Sequence, residues 1–320
     1  MDAGTQASGF SFRGLDPVTK LLGTTGAPPT QAFADYGALL RDHVGDVQDT
    51  LYRGFTLDLG QQPVLDTPTN VLRDQYRIDG PASNAYIDWL MFNYGRYMLA
   101  SSARSVLPAN LQGKWADGIG NAWGADYHSN INIQMNYWSA ETTGLGGLVT
   151  PLFDYIEKTW GPRGAETAQI LYNINRGFVT HNEMNIFGHT GMKAFGNSAE
   201  WANYPEANVW MMLHVWDHFD YTNDVSWWRS QGWPLIKSVA GFHLDKLIPD
   251  LHFNDSTLVV SPCNSPEQRP ITFGCAHSQQ MIWEMFNAIE KGFEASGDTD
   301  TAFLEGTSSL VHHEFNLNHG

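Results

Sequence analysis

The chain has 320 residues, of which 42% are apolar and 13% aromatic, with twelve Trp. That is ample for the core of one large domain or two modest ones and excludes intrinsic disorder over most of the length. A formal net charge of −16 argues against unassisted nucleic-acid binding and against docking on an anionic membrane. No run of about eighteen apolar residues is present, so nothing reads as a membrane span.

The N-terminal stretch MDAGTQASGFSFRG lacks a basic n-region and an apolar h-region, so it does not read as a signal peptide. Residues 1–30, rich in Gly, Thr, Pro and Ala, read as a linker or the remnant of an upstream region. Helical patterning begins near Thr30, with Leu39, Leu40, Val44, Val47 and Leu51 forming one apolar stripe. FTLDLG reads as a short strand or an extended link. A helix is predicted from about Ser83 to Ala103, with Tyr86, Trp89, Leu90, Phe92 and Tyr97 towards the core. Another begins near Gln134. LVTPLFDYIEKTW and AETAQILYNINRGF predict two short helices, and Asn208 to Tyr221 a strong one with Val209, Met212, Leu213, Trp216 and Phe219 at helical spacing. Residues 227–247 continue as helix around Trp233–Pro234, and Gln279 to Phe293 closes the series with Ile282, Met285, Phe286 and Ile289 on one face. Beyond Gly306 no periodicity is visible. Helices of similar length between long loops favour an all-α toroid over a small bundle, and long loops tend to carry function.

Leu107 to Glu141 is the richest block: Trp115, Trp123, Tyr127, Tyr137 and Trp138 stand among asparagines, glutamines and glycines. A core would need a partner for every buried amide, and a phosphate site would use cations. Flat aromatic faces beside fixed amides suit a sugar. Within the block, an extended His128-Ser129-Asn130-Ile131-Asn132 would put His128, Asn130 and Asn132 on one face and the isoleucines on the other. The alternative is a turn whose asparagines cap helices. A metal there is disfavoured, because Asn is a poor ligand and no carboxylate joins the pattern. In Ser261-Pro262-Cys263-Asn264-Ser265-Pro266-Glu267, two prolines stiffen a loop carrying one carboxyl group, as a general acid requires, although a loop glutamate more often faces solvent or caps a helix. His214 and His218 have a metal-compatible spacing but lack the glutamate a zincin needs. Gly118-x-Gly120 has no preceding strand and is not read as a dinucleotide site. Cys263 and Cys275 fit either a disulfide or two buried thiols. Asn254-Asp255-Ser256 is a possible glycosylation acceptor.

Four blocks in order, LPANLQGKW, ADYHSNINIQMNYWSAE, LHVWDHFDYTND and SPCNSPE followed by TFGCAHSQQMIWEMF, resemble the inverting α-L-fucosidases of glycoside hydrolase family 95, in their fungal branch. The resemblance spans roughly Asp35 to Leu304. It implies an (α/α)6 barrel over residues 31–305, the N-terminal part of a catalytic domain, followed by an unpatterned tail at 306–320. It implies removal of terminal fucose linked α-1,2 to galactose, with inversion, on fucosylated oligosaccharides, without cofactor or metal, by a secreted protein. Some relatives favour α-L-galactose or xyloglucan fucose.

The resemblance makes Glu267 the general acid, Asn130 and Asn132 the amides that activate water, and His128 a sugar contact. Trp115, Trp123 and Tyr127 either stack on sugar or fill the core; Trp138 is expected in the core. The family's aspartate that polarises the amides lies well downstream of the SPE block, and this chain ends 53 residues after Glu267. The expectation is therefore an incomplete barrel that leaves Trp283, Phe286 and Phe293 open to water, folds poorly alone and is inactive. A sugar-binding chain without hydrolysis and an α-L-galactosidase are the rival readings.

Overall fold

The computed structural model of the chain describes residues 36–76, 83–190, 203–253, 257–268 and 271–315, and within these the side chains of all but 83 and 310–315. The expected linker at 1–30 and the Asn254–Ser256 acceptor lie outside the described residues.

Helices dominate. They are α1 (Tyr36–Val47), α2 (Thr69–Gln75), α3 (Ser83–Ala103), α4 (Asn132–Tyr137), α5 (Thr150–Tyr155), α6 (Gly161–Tyr172), α7 (Ala207–Thr222), α8 (Val225–Trp227), α9 (Trp233–Lys246), α10 (Ala276–Ser296) and α11 (Thr301–Phe315). A two-residue antiparallel pair, β1 (Ile248–Pro249) with β2 (Leu258–Val259), interrupts them. Wide turns of π type at Ile156–Trp160 and Trp228–Gly232 run α5 into α6 and α8 into α9. Each is followed at once by a proline in the first turn of the next helix, Pro162 and Pro234. A proline lacks the N–H donor and its ring presses on the carbonyl four residues back; widening the preceding turn lets the helix continue.

Connections alternate between long and short. Residues 104–131, 173–206 and 247–275 are long, whereas 138–149, 223–224 and 297–300 are short. Each set bonds within itself. Among the long loops, Tyr127 N–H donates to Met184 O at 2.9 Å, and Asn130 reaches Glu267. Near the short turns, His218 meets Glu141 and Trp233 donates to Asp298. The helices thus run back and forth between a loop end and a turn end.

The core is aromatic and lies among α7, α9 and α10, which pack on one another, with α11 against α10. Trp228 is its centre: fully buried, stacked on Phe219 at 4.5 Å, edge-on to Trp216 and Trp233, with its indole N–H on Gly292 O at 2.9 Å. Gly292 is required there, because a Cβ would come within 2.6 Å of the Trp228 ring.

Several expectations need correction. Phe286 is 1% exposed and Phe293 meets the Trp233 ring at 5.7 Å, so this face is covered rather than open. Residues 301–315 form α11, where no periodicity was visible in the sequence. The stripe on α1 reaches the core only at its end: Leu39, Leu40 and Val44 are exposed, Val47 is partly buried against the core, and Leu51, in the π turn that follows, is buried. On α3 the inward residues include Ile87, Asn93, Arg96, Leu99, Ala100 and Ala103, whereas Tyr97 points out. Arg96 takes that inner place by donating to Thr143 O at 3.1 Å and to Leu51 O. FTLDLG is an irregular link without strand pairing, α2 had no clear signal, and Trp138 is exposed.

Candidate active site

The site is assembled at the loop end from three connections. Residues 127–129 pair antiparallel with 182–184, through Tyr127 N–H to Met184 O at 2.9 Å and Ser129 N–H to Asn182 O at 2.6 Å. Alternation along this extended stretch sends Tyr127 and Ser129 to the interior. The Tyr127 ring lies 4.5 Å from that of Tyr155 and Ser129 Oγ donates to His181 O. His128 takes the other side, opposite Glu183.

The alternation stops at Asn130. Ile131 has φ 74°, a conformation unusual for a β-branched residue and one that stores strain. It turns the chain into α4, which begins at Asn132. Ile133 N–H on His128 O at 2.8 Å and Gln134 Nε2 on Ser129 O at 2.7 Å close the turn. The sequence expectation that His128, Asn130 and Asn132 share one strand face is therefore replaced by a strand, a strained corner and a helix start. Ile131 is exposed while Ile133 is fully buried.

Glu267 sits in the loop from β2 to α10. Cys263 and Cys275 are bridged, which resolves the alternatives left by the sequence. Cys263 and Thr272 exchange two backbone hydrogen bonds of 2.8 Å across the same loop. Glu267 itself holds φ 62°, a second strained non-glycine position. Its Oε1 accepts from Asn130 Nδ2 at 2.9 Å, across 137 residues of sequence. The two blocks singled out in the sequence thus meet.

His128 is 5% exposed. Its Nδ1 lies 3.2 Å from Asp126 Oδ1 and 3.7 Å from Glu183 Oε1. Asp126 fixes the tautomer with the proton on Nδ1 and orients the ring, leaving Nε2 for a ligand. These three side chains could also hold a cation, since their ligand atoms lie within 4.8 Å of one another; two carboxylates do join the histidine, contrary to the sequence reading. The 3.2 Å contact is accounted for by a hydrogen bond from Nδ1–H.

Trp123 is 64% exposed, with its ring centroid 6.3 Å from that of His128 and left-handed backbone at Trp123, Gly124 and Ala125. Trp115 is exposed too, its indole N–H held by Ser101 Oγ at 3.3 Å. Tyr127 is core. Asp126, Glu183 and Tyr204 had not been anticipated. Asp126 was legible, two residues before His128 on an extended stretch; Glu183 depends on a pairing between distant segments, which leaves no local signal.

Behind the Glu267 loop lies a cavity of about 310 Å³ lined in part by Tyr172, Pro205, Glu206, Lys246, Pro262 and Asn264. It is bounded by the Lys246–Glu206 ion pair at 3.4 Å and does not include Glu267, Asn130 or His128. Nearby, His181 Nε2 meets Tyr172 OH at 2.9 Å, and burial, helped by the Lys246 charge, pushes this imidazole down to about 4. At the turn end His214 is buried and also pushed down to about 4, while His218 Nδ1 lies 2.6 Å from Glu141 Oε1. His218 is thus paired with a carboxylate, whereas His214 Nε2 has no hydrogen-bond partner among the described residues.

Residues 35–315 match the family model of the glycosyl hydrolase family 95 catalytic domain. The "Probable alpha-fucosidase A" of Aspergillus niger is 47% identical over 312 residues, covering 96% of this chain and 38% of that protein. The protein of the same name in Aspergillus oryzae is 35% identical, covering 94% and 32%. "Alpha-L-fucosidase 2" of Arabidopsis thaliana is 29% identical, covering 91% and 34%. The chain thus spans 32–38% of the length of these relatives. Among solved structures, a putative kojibiose phosphorylase from human microbiome superposes with a TM-score of 0.54 at 12% identity, over 73% of this chain and 34% of that one. That likeness concerns the fold alone, and with the family match it identifies the helical hairpins as part of an (α/α)6 barrel.

Proposed function

The chain belongs to glycosyl hydrolase family 95, and on that premise we propose that it carries the acid side of an α-L-fucosidase site. The substrate is a glycan ending in L-fucose linked α-1,2 to galactose, and the reaction inverts the anomeric carbon. The observation that carries the reading is the 2.9 Å bond between Asn130 and Glu267.

Glu267 donates a proton to the glycosidic oxygen as the bond from C1 to that oxygen breaks. Asn130 donates to Oε1, so Oε2 is the oxygen that carries the acidic proton. The two groups that flank sugar and water in an inverting site stand about 6.5–9.5 Å apart. Asn130 is far closer to the acid, which puts it on the acid's side and leaves Asn132, at the start of α4, to hold the water. An amide is a feeble base, and the water's proton needs a carboxylate. The resemblance assigns that role to an aspartate well downstream of Glu267; the carboxylates beside His128 are Asp126 and Glu183. His128 presents Nε2 to a sugar hydroxyl, and Trp123 offers an exposed ring to the apolar face of a pyranose. The bridged Cys263–Cys275 pair supports an oxidising compartment and hence secretion.

The test is fucose release from 2′-fucosyllactose by the chain and by Glu267→Gln. Release lost in the variant supports the assignment, and equal release from both removes Glu267 from the reaction. A folded chain that binds fucose yet releases none, with either side chain, points to sugar binding without hydrolysis. Release of L-galactose in preference to fucose from matched substrates would change the sugar and keep the site.

A further inference from the structure

Behind the loop that carries the acid, three helix termini converge. Tyr172 is the last residue of α6, Lys246 the last of α9, and Glu206 directly precedes α7. Together with residues 260–264 they line the cavity of about 310 Å³. Ligand pockets start at roughly 300 Å³, whereas one water takes up only about 30 Å³. The space suits a monosaccharide.

The charges on its wall are buried yet loosely paired. The Glu206 and Lys246 side chains are 2% and 15% exposed, and they approach only to 3.4 Å. The more exposed Lys237 and Lys158 hold their aspartates at 2.7 and 2.8 Å. A charge-assisted hydrogen bond is normally about 2.7–2.9 Å long. A buried pair offsets its desolvation only when its remaining donors and lone pairs are satisfied too. Among the described residues the 3.4 Å contact is the only side-chain hydrogen bond of either group. An ammonium has three donors and a carboxylate about four acceptor sites, so most of both sets stay open beside the cavity.

Charge decides the class of ligand. Lys246 is matched by Glu206, and Asp245, on the same wall, is matched by Arg176 at 2.6 Å. No net charge is left to attract a phosphate or a carboxylate, and both carboxylates already face cations. Donors and acceptors side by side, set between Tyr172, Pro205 and Pro262, suit neutral hydroxyls on a ring with apolar C–H edges. One such hydroxyl can accept from Lys246 Nζ and donate to Glu206, and Asn203 adds an amide to the same wall.

We infer that this cavity is a second carbohydrate site, separate from Glu267, Asn130 and His128, that takes one neutral hexopyranose between Lys246 and Glu206. The inference goes beyond the fucosidase reading and does not depend on it.

The experiment is calorimetric titration with D-galactose of the parent chain, of the double variant Glu206→Gln/Lys246→Met, and of His128→Ala. The double variant removes both charges together, because removing one would leave the other buried and unpaired. The expected result is binding by the parent, at least about 10-fold weaker binding by the double variant with melting within a few degrees of the parent, and unchanged binding by His128→Ala. Asn203→Trp, which fills the space and leaves the ion pair intact, should abolish binding as well, and it decides the matter if the double variant does not fold. A parent chain that binds no galactose has a cavity holding only water, and that overturns the inference. Parent-like affinity in the cavity variants overturns it too. So does binding lost in His128→Ala and kept in the cavity variants, which puts galactose in the Glu267 site. Fucose release from 2′-fucosyllactose, followed in the same proteins, tests the fucosidase reading separately; the cavity variants should match the parent.

Discussion

The two ends of the helical array use the same residue types to opposite effect. Near the short turns several polar groups are paired at close range. His218 meets Glu141 at 2.6 Å, Trp233 and Lys237 share Asp298 at 2.7 Å each, and Gln231 bridges Asp154 and Glu157, all around the Trp228 cluster. At the loop end Ile131 and Glu267 hold strained backbone, and the Tyr204 hydroxyl has no hydrogen-bond partner among the described residues. Carboxylates crowd one histidine there. The difference teaches that stability is concentrated at the turns and that part of it is given up in the loops, where groups must wait for a ligand.

Substitutions should therefore separate the two ends. The largest effect expected is on catalysis: Glu267→Gln should lower kcat on 2′-fucosyllactose by about 10²–10⁴-fold while leaving thermal melting within a degree or two. A comparable drop in melting would show that Glu267 is structural. At the other end, Trp228→Ala should cost about 3–5 kcal/mol of stability, read from denaturant unfolding, because it removes the stack on Phe219 and leaves Gly292 O without its donor. If fucose binding fell in the folded fraction without loss of stability, the division between ends would be wrong.

Removing the Cys263–Cys275 bridge in a double serine variant should cost about 2–3 kcal/mol. It should also lower kcat, because the bridge closes the loop that aims Glu267. Unchanged kcat would mean that the Asn130 contact and the prolines suffice to hold the acid. The last effect concerns pH and builds up gradually. His181 and His214 have folded values near 4, against about 6.5 for an unfolded imidazole. The unfolded chain therefore binds protons first, and stability falls as pH drops from about 6.5 towards 4, by roughly 1.4 kcal/mol per unit for each ring. His243, also pushed well below the ordinary imidazole value by burial, adds in the same direction. Melting followed between pH 7 and 4 checks this, and a flat profile would contradict the buried neutral state of these rings.

Much of this was legible in the sequence, for physical reasons that differ by element. α7 and α10 carry apolar residues at helical spacing and were placed within a few residues. The resemblance put Asn130 and Glu267 in one site, but the hydrogen bond between them had not been anticipated. α11 was missed because Gly306-Thr307-Ser308-Ser309 interrupts its apolar pattern midway, and the helix packs against α10. The strained corner at Ile131 was invisible, since an isoleucine gives no sign of positive φ; it broke the alternation that HSNIN suggested. The α1 stripe is periodic yet exposed at Leu39, Leu40 and Val44, and periodicity reports which residues share a face but not whether anything covers it. Trp138 and Tyr127 were hard to separate by composition, and only the fold puts one outside and the other against Tyr155.

The most direct test of the loop-end assembly is a double-mutant cycle on Asn130 and Glu267. Fucose release would be measured from an aryl fucoside, whose good leaving group keeps residual activity measurable without the acid. If Asn130 acts by orienting Glu267, Asn130→Ala lowers activity in the parent but has almost no further effect in the Glu267→Gln background. Losses that simply add would contradict the account, placing the two residues in independent steps.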